Sequence, residues 1–315
     1  MIILVLLAMF PAVFVLSLLF EGIDRKLHAR MQKRIGPPII QPFYDFVKLF
    51  NKERIIPVIA SPKIFIAVAI IAAASSILGA AIPLANLATR TSIVGDMILI
   101  LYLLAMSSIM IMIGGSSSGN PYGAIGFSRK MTMLIGYELP LLISVILLAL
   151  KSGRSIAYYD VILFQTQIRS CLAFTYPSVA IAAVTFLLCM PAGAGVVPFD
   201  IPEAKTEIVH GPLIEYGGPY LALVKLAKDA ANFAFAFLAL TLFFYFPALF
   251  EGSILLGEWA TLCLCLAGAL VVMFCTITVP RTTFARLKIG QAFKFYWLFP
   301  LLLAILALAL SIVEM

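Results

Sequence analysis

Apolar runs of about twenty residues recur along the whole chain, and they limit its fold more than any other feature. A helix needs about that many apolar residues to cross the hydrocarbon core of a membrane. A transmembrane barrel instead needs segments of about ten residues that alternate apolar and polar side chains, and the runs here are continuous. With 63% hydrophobic and 12% charged residues, a water-soluble globule is excluded. The sequence therefore predicts an all-α integral membrane protein.

About eight transmembrane helices are predicted, in a single polytopic membrane domain that covers residues 1–315. The first run has no basic residue before it and no small-residue cleavage site, so we interpret it as a span and not as a secretory signal. No internal repeat is recognisable, which counts against the transporters that are built from repeated halves. The predicted spans are 2–20, 63–83, 95–114, 131–150, 173–193, 218–246, 255–279 and 294–313.

Lysine and arginine are distributed unevenly between the loops. Of the 22 in the chain, 16 fall in the first, third, fifth and seventh loops and 4 in the others, while Lys225 and Lys228 fall within the sixth span. Because an excess of positive charge marks the cytoplasmic side, we expect a multi-pass protein of the cell membrane with both termini outside and the odd-numbered loops cytoplasmic. Anionic lipid or a cytoplasmic partner accounts for the net charge of +7 without nucleic acid.

The first loop, residues 24–57, is too long and too patterned for a simple connector. The run Gly36-Pro37-Pro38 breaks any helix, because proline lacks an amide hydrogen and restricts the residue before it. After this break, apolar residues recur at helical spacing, at Ile39, Ile40, Phe43, Phe46, Val47 and Phe50. The pattern predicts a short surface helix, for which a lipid anchor is the simplest role.

Carboxylates are concentrated in the fifth loop. Asp200 followed three residues later by Glu203 is typical of a capping box at the start of a helix. That interpretation does not account for Glu207 and Glu215. On one helix, Glu203 and Glu207 would share a face, where like charges repel. Carboxylates crowded at a membrane boundary favour proton exchange.

Ionisable residues also occur inside two predicted spans. Glu138 follows Tyr137 in the fourth span, about 10 Å from its predicted start. An intramembrane carboxylate is a candidate functional site, and a static hydrogen bond to a neighbouring helix is the alternative. In the sixth span, Lys225 and Asp229 are four residues apart and so placed to pair, whereas Lys228 has no evident partner within the span.

Candidate metal ligands are not grouped in the sequence. The five cysteines lie in or beside apolar runs without Cys-x-x-Cys spacing, and the histidines, His28 and His210, lie outside the spans. Iron–sulfur clusters and zinc sites need convergent thiolates. We therefore expect no metal site and no cofactor in this chain, and we interpret the cysteines as small apolar core residues.

Four motifs occur in the order found in a known family. They are the patterned first loop, Tyr137-Glu138, the Pro-Phe-Asp-Ile-Pro-Glu-Ala segment at 198–204 with its later Glu-Tyr, and Arg-Thr-Thr-Phe-Ala-Arg at 281–286. In these motifs and in its number of spans, the chain resembles subunit 1 of respiratory complex I, called NuoH in bacteria, over nearly its whole length. The resemblance implies a subunit between the membrane arm and the peripheral redox arm, next to small membrane subunits and antiporter-like subunits.

The resemblance also implies roles for individual residues, none of them catalytic. The implied ion pathway contains Glu138, Glu203, Glu207 and Glu215, and we add the charged residues of the sixth span, Lys225, Lys228 and Asp229. The peripheral arm is expected to dock on the first loop, at Arg25, Lys26, Arg30, Gln32, Arg34, Asp45, Lys48 and Lys52. Iron–sulfur clusters, and a nickel–iron centre in a hydrogenase, are expected in partner subunits: large and small hydrogenase-like subunits and an iron–sulfur subunit.

Several positions depart from the quinone-reducing members of this family. The stretch from Gly36 to Pro42 is short, Lys205 stands where an acid is usual, Lys228 stands where Ala-Glu-Tyr is frequent, and 289–291 replaces Tyr-Asp-Gln. The short loop is similar to relatives that use no quinone, namely energy-converting membrane-bound nickel–iron hydrogenases and ferredoxin-dependent sulfane-sulfur reductases. The favoured hypothesis is a non-catalytic subunit that couples ferredoxin-linked hydrogen evolution or sulfur reduction to translocation of H+ or Na+. A quinone-reducing complex I subunit and a stand-alone secondary transporter are the alternatives.

Overall fold

The computed structural model describes residues 2–92, 96–246 and 254–314, and helices without any β-strand build these ranges. Eight helical segments among them are long and apolar enough to cross a membrane, which confirms the predicted all-α membrane fold. A single domain over 1–315, whose end residues Met1 and Met315 lie outside the described ranges, stays a prediction. The helices are α1 (Ile2–Met31), α2 (Gln41–Phe50), α3 (Pro62–Thr89), α4 (Met97–Ser117), α5 (Pro121–Lys151), α6 (Tyr158–Ile168), α7 (Leu172–Thr175), α8 (Pro177–Ala194), α9 (Lys205–Ile208), α10 (Gly218–Phe243), α11 (Ile254–Met273), α12 (Val279–Thr283), α13 (Ile289–Leu298) and α14 (Pro300–Val313).

The centre of the fold is formed by α3, which packs against both α4 and α10. Small side chains let helix backbones approach each other closely within a membrane protein. At Gly79 a Cβ atom would lie only 3.0 Å from the Leu104 side chain, so α3 and α4 are in close contact there. Alanine recurs on the buried faces of α3 and α10, for example at Ala72, Ala80, Ala230 and Ala234.

The first helix continues well past the predicted end of its span at residue 20. Because α1 extends to Met31, Glu21, Asp24 and Arg25 lie on its last three turns and not in a loop. The chain then turns at Gly36, whose φ of +75° is in the left-handed region that glycine adopts without strain. The polar end of α1 is thereby held beside α2, which begins soon after the turn.

The short helix predicted after the Gly-Pro-Pro break is confirmed as α2. It packs against α1 and α10, and the rings of Phe14 and Phe46 meet edge to face with centroids 5.1 Å apart. The opposite side carries exposed apolar residues, Tyr44, Val47 and Phe50. One face of α2 is thus fixed to the bundle, and the other is free for lipid or a partner.

Proline explains where two predicted spans are interrupted. The segment expected at 173–193 forms α7 and α8, because Tyr176 is extended immediately before Pro177. The segment expected at 294–313 is the end of α13 followed by α14, which meet at Pro300. Of the other predicted spans, the third begins at residue 95, which lies outside the described residues, and the sixth ends at Phe243 instead of residue 246.

The seventh span changes its helical form near its end. From Ile254 to Met273 it is α-helical, then residues Phe274–Thr278 form a π-helical turn, and α12 completes it. Single π-helical turns are uncommon and frequently occur at functional sites. This turn places Thr278 and Arg281 beside the polar end of α1.

The end of the described chain is fixed by an ion pair on the opposite side of α5. Glu314 accepts hydrogen bonds from the backbone amide of Ser178 at 3.0 Å and from its hydroxyl at 2.5 Å. The Lys151 ammonium lies 3.1 Å from the same carboxylate. These contacts connect the ends of α14 and α5 to the first turn of α8.

Candidate functional site

A cavity of about 550 Å³ lies between α1, α10, α12 and the segment that joins α8 to α10. Its lining contains the four acidic residues Glu21, Asp200, Glu203 and Asp229. The basic residues in the lining are Arg25, Lys205, Lys225, Lys228 and Arg281. Such a concentration of ionisable groups beside membrane-spanning helices is typical of ion pathways.

The predicted capping box in the fifth loop is wrong. The helix begins only at Lys205, its N-cap residue is Ala204, and no side chain caps it. Asp200 and Glu203 precede it, so Glu203 and Glu207 do not share a helical face as expected. The reason is that Asp200 and Glu203 each meet a cation from another element, and a charge-assisted hydrogen bond is stronger than one to a neutral amide.

Two ion pairs hold the fifth loop against the helices. Lys228 of α10 donates to Glu203, which gives this lysine the partner that the sequence of the span did not reveal. The Arg286 guanidinium lies 2.8 Å from the Asp200 carboxylate. Burial would raise the pKa of Glu203, but the Lys228 ammonium, and next Lys130, hold it below its ordinary value. Burial and then the Glu203 carboxylate raise the pKa of Asp200.

A glycine lets the fifth loop turn back on itself at the cavity wall. Gly211 has φ +52°, and a Cβ atom there would lie 2.1 Å from the carbonyl oxygen of Pro202. Only glycine fits such an approach without displacing the backbone. This contact fixes the position of Glu203, which follows Pro202 directly.

The expected ion pair between Lys225 and Asp229 does not form in the described part of the chain. Both residues line the cavity, and Asp229 lies within the electrostatic reach of Glu21 and Arg25 of α1 as well as of Lys225 and Lys228. The tertiary structure therefore turns a local pair into part of a larger charged cluster.

The polar end of α1 contributes residues that the sequence interpretation missed. The Asp24 side chain is 3% exposed and accepts hydrogen bonds from Thr278 at 2.5 Å and Arg281 at 2.8 Å. Arg25 lies 2.7 Å from Glu21 and 2.9 Å from Asp45 of α2. Helical spacing of polar residues at 21, 24, 25 and 28 was a signal for this continuation of the helix.

The residues predicted to dock a partner separate into two groups. Arg25 and Asp45 pair with each other inside the chain, and Lys26 is half-buried. Burial would raise the pKa of Asp45, but its hydrogen bonds with Arg25 and Gln41 hold it below its ordinary value. The remaining residues are exposed and form what we call the loop-one surface, Arg30, Gln32, Arg34, Lys48 and Lys52.

Three predicted pathway carboxylates lie outside the cavity lining. Glu207 pairs with Arg129 of α5, and Glu215 accepts a hydrogen bond of 2.7 Å from Asn120 at the start of α5. Glu138 is half-buried on α5, with no hydrogen-bond partner in the described ranges. The structure therefore brings together Glu203, Lys225, Lys228 and Asp229 but not these three residues.

No group of three or more histidine, cysteine, aspartate or glutamate residues is arranged to hold a metal ion within the residues that the structure describes. Cys171 and Cys189 are buried separately, and Cys263 and Cys275 are exposed on apolar helices. The chemistry available to the described site is therefore proton exchange and charge pairing.

A family model described as NADH dehydrogenase matches residues 3–312. Hydrogenase-4 component C of Escherichia coli (strain K12) is 31% identical, over 90% of this chain and 88% of that protein. An NADH-quinone oxidoreductase membrane protein of Geobacillus thermodenitrificans (strain NG80-2), one of the subunits of that enzyme, is 32% identical, over 92% and 87%.

A solved structure of the membrane-bound sulfane sulfur reductase, an archaeal respiratory membrane complex, contains a similar chain. The two superpose with a TM-score of 0.87 at 30% identity, over 98% of this chain and 99% of that one. Sequence and fold thus agree over almost the full length. The chain belongs to the NADH dehydrogenase family, as its resemblance to complex I subunit 1 predicted.

Proposed function

We propose that this chain is a non-catalytic membrane subunit that couples ferredoxin-linked redox chemistry in a peripheral arm to translocation of H+ or Na+. The observation that carries the proposal is the cavity in which Glu203, Asp229, Lys225 and Lys228 meet. A change of charge in a docked redox arm would alter the protonation of these groups, because nearby charges shift the pKa of a carboxylate.

The relatives support a subunit of a larger complex but do not select its electron acceptor. Subunits of a hydrogenase, a quinone oxidoreductase and a sulfur reductase are all 30 to 32% identical to this chain. The short stretch from Gly36 to Pro42 favours hydrogen evolution or sulfur reduction. The many charges in the cavity lining also disfavour an apolar quinone, because sites for small molecules are lined mainly by apolar side chains.

The proposed partners are peripheral subunits that hold the redox centres, together with small membrane subunits and antiporter-like subunits. Iron–sulfur clusters, and a nickel–iron centre in the hydrogenase case, would belong to those subunits. Affinity purification of the tagged chain from its native membrane, followed by metal analysis and ferredoxin-driven ion uptake in vesicles, tests this proposal. A chain that purifies alone and transports a solute would be a secondary transporter, and quinone-dependent activity would support the complex I alternative.

The loop-one surface is proposed as the docking face of the peripheral arm. Replacing Arg30, Arg34, Lys48 and Lys52 with glutamine should weaken attachment of the arm about tenfold or more, since exposed ion pairs each contribute about 0.2–1 kcal/mol. The salt concentration that releases the arm from immobilised complex should fall, because salt screens exposed charges. The matched control replaces Arg90, Arg154 and Arg169, which lie in the even-numbered loops. Equal salt resistance of both variants would leave loop one as a lipid anchor.

The orientation with both termini outside is a proposal that rests on the 16 to 4 division of loop cations. In a cysteine-free background, Tyr122→Cys should react with a membrane-impermeant thiol reagent only from the cytoplasmic side, and Ile156→Cys only from outside. The two side chains make a matched pair, because they are 43% and 45% exposed. The reverse labelling would invert the orientation and move the docking face to the other side.

A further inference from the structure

Behind the Glu203–Lys228 ion pair lies a second, much smaller cavity of about 20 Å³. Glu203, Lys228 and Asn232 line both cavities, so the ion pair separates the large cavity from the small one. On its far side the small cavity is lined by Lys130 of α5 and by Ser107 and Ser108 of α4. None of these three residues was predicted to belong to the site.

The small cavity has the size and chemistry of a water site. A cavity needs about 10–15 Å³ to hold one water molecule, which also needs two to four polar partners. Asn232 Oδ1 is buried and accepts no hydrogen bond from the described part of the chain. The lysine and serine side chains around it supply further donors and acceptors.

Lys130 faces charged groups from two other elements. Its side chain is almost completely buried on α5. It interacts electrostatically with Glu203 and Asp200 of the fifth loop and with Lys228 of α10. Glu203 therefore lies between two lysines, Lys228 in direct contact and Lys130 across the small cavity.

The small cavity also leads toward the middle of α5. Ser108 in its wall is connected by a side-chain hydrogen bond to Tyr137, which is 4% exposed. Tyr137 directly precedes Glu138, the predicted intramembrane carboxylate. Polar groups are thus continuous from the large cavity to this position inside the bundle.

We propose that a water molecule in the small cavity joins Glu203 to Lys130, and that Lys130 is a further residue of the ion pathway, connecting the Glu203–Lys228 pair to Ser108 and Tyr137. The inference rests on the proposed function. When Glu203 is protonated and Lys130 is neutral, the Glu203 O–H bond breaks and its proton passes to the water. The water releases another proton to the Lys130 Nζ atom, which leaves a carboxylate, an intact water and an ammonium.

The test compares Lys130→Met, which keeps the length of the side chain but has no proton to exchange, with Lys63→Met at an exposed position. In the assembled complex, Lys130→Met should lower ferredoxin-driven proton uptake about a hundredfold, the lower end of the effect of a proton-transfer group. The control should be unchanged. Infrared difference spectra, with the Glu203 band assigned through Glu203→Gln, should show a shifted carboxyl stretch in Lys130→Met only.

Asn232→Leu provides a second variant, which removes the water acceptor at similar volume and should also lower proton uptake. Normal uptake by both Lys130→Met and Asn232→Leu, with uptake still lost in Glu203→Gln, would overturn the role of Lys130 and leave the proposed function standing. Normal uptake in all three variants would overturn both. If Lys130→Met does not assemble, normal uptake by an assembled Asn232→Leu complex counts against the water connection.

Discussion

Replacing Glu138 with glutamine is expected to lower ion translocation about a hundredfold while the complex still assembles. Glu138 lies about 26 Å from the start of α5 and about 20 Å from its end, at 1.5 Å per residue, and so near the middle of a span. Its side chain is half-buried and has no hydrogen-bond partner among the described residues. Glutamine has nearly the same size but cannot ionise, so a static packing role would survive the change.

The measurement is ferredoxin-driven ion uptake into vesicles, beside the subunit composition of the purified variant. Glu53→Gln is the matched control, because it makes the same change on an exposed residue of the first loop. Glu138→Asp, which keeps the charge and shortens the side chain, should retain part of the activity. Full uptake by an assembled Glu138→Gln complex would make Glu138 a structural residue only.

The second large effect is expected at the Glu203–Lys228 ion pair. Glu203→Gln and Lys228→Met should each lower the free energy of unfolding by about 1.5–3 kcal/mol, the range for a hydrogen bond to a charged group. The double variant should lose less than the sum of the two, since the second change removes a partner that is already lost. Thermal unfolding of the four proteins in detergent measures this coupling energy, and strictly additive losses would contradict a direct pair.

The pH dependence of the same pair follows from the lowered pKa of Glu203. The pair should contribute its full stability above the ordinary glutamate pKa of 4.5 and lose it as the pH falls through the lower pKa of the folded chain. The difference in unfolding temperature between the unsubstituted chain and Glu203→Gln should therefore shrink only in acid. A difference that stays constant down to the lowest pH tolerated by the fold would show that Glu203 stabilises the chain without its charge.

Patterns within short segments were enough to predict most of the helices. Continuous apolar runs predicted the spans, and the apolar spacing after Gly36-Pro37-Pro38 predicted α2. The same local reasoning failed at Asp200, where a capping box fits the sequence but the carboxylate pairs with Arg286, 86 residues away. It also ended α1 too early, because charged residues are unfavourable in a span unless partners are present, and a single segment does not show its partners.

The sequence by itself determined the membrane class, the number of spans, the unequal distribution of loop cations and the family motifs, because hydrophobicity and charge are properties of each segment. Only the tertiary structure decided which charges meet. It paired Lys228 with Glu203 and Arg281 with Asp24, and it placed Lys130 behind the first of these pairs. The physical reason is that a charge within the bundle is stable only beside a partner, and residues 25 or 257 positions apart become partners only through helix packing.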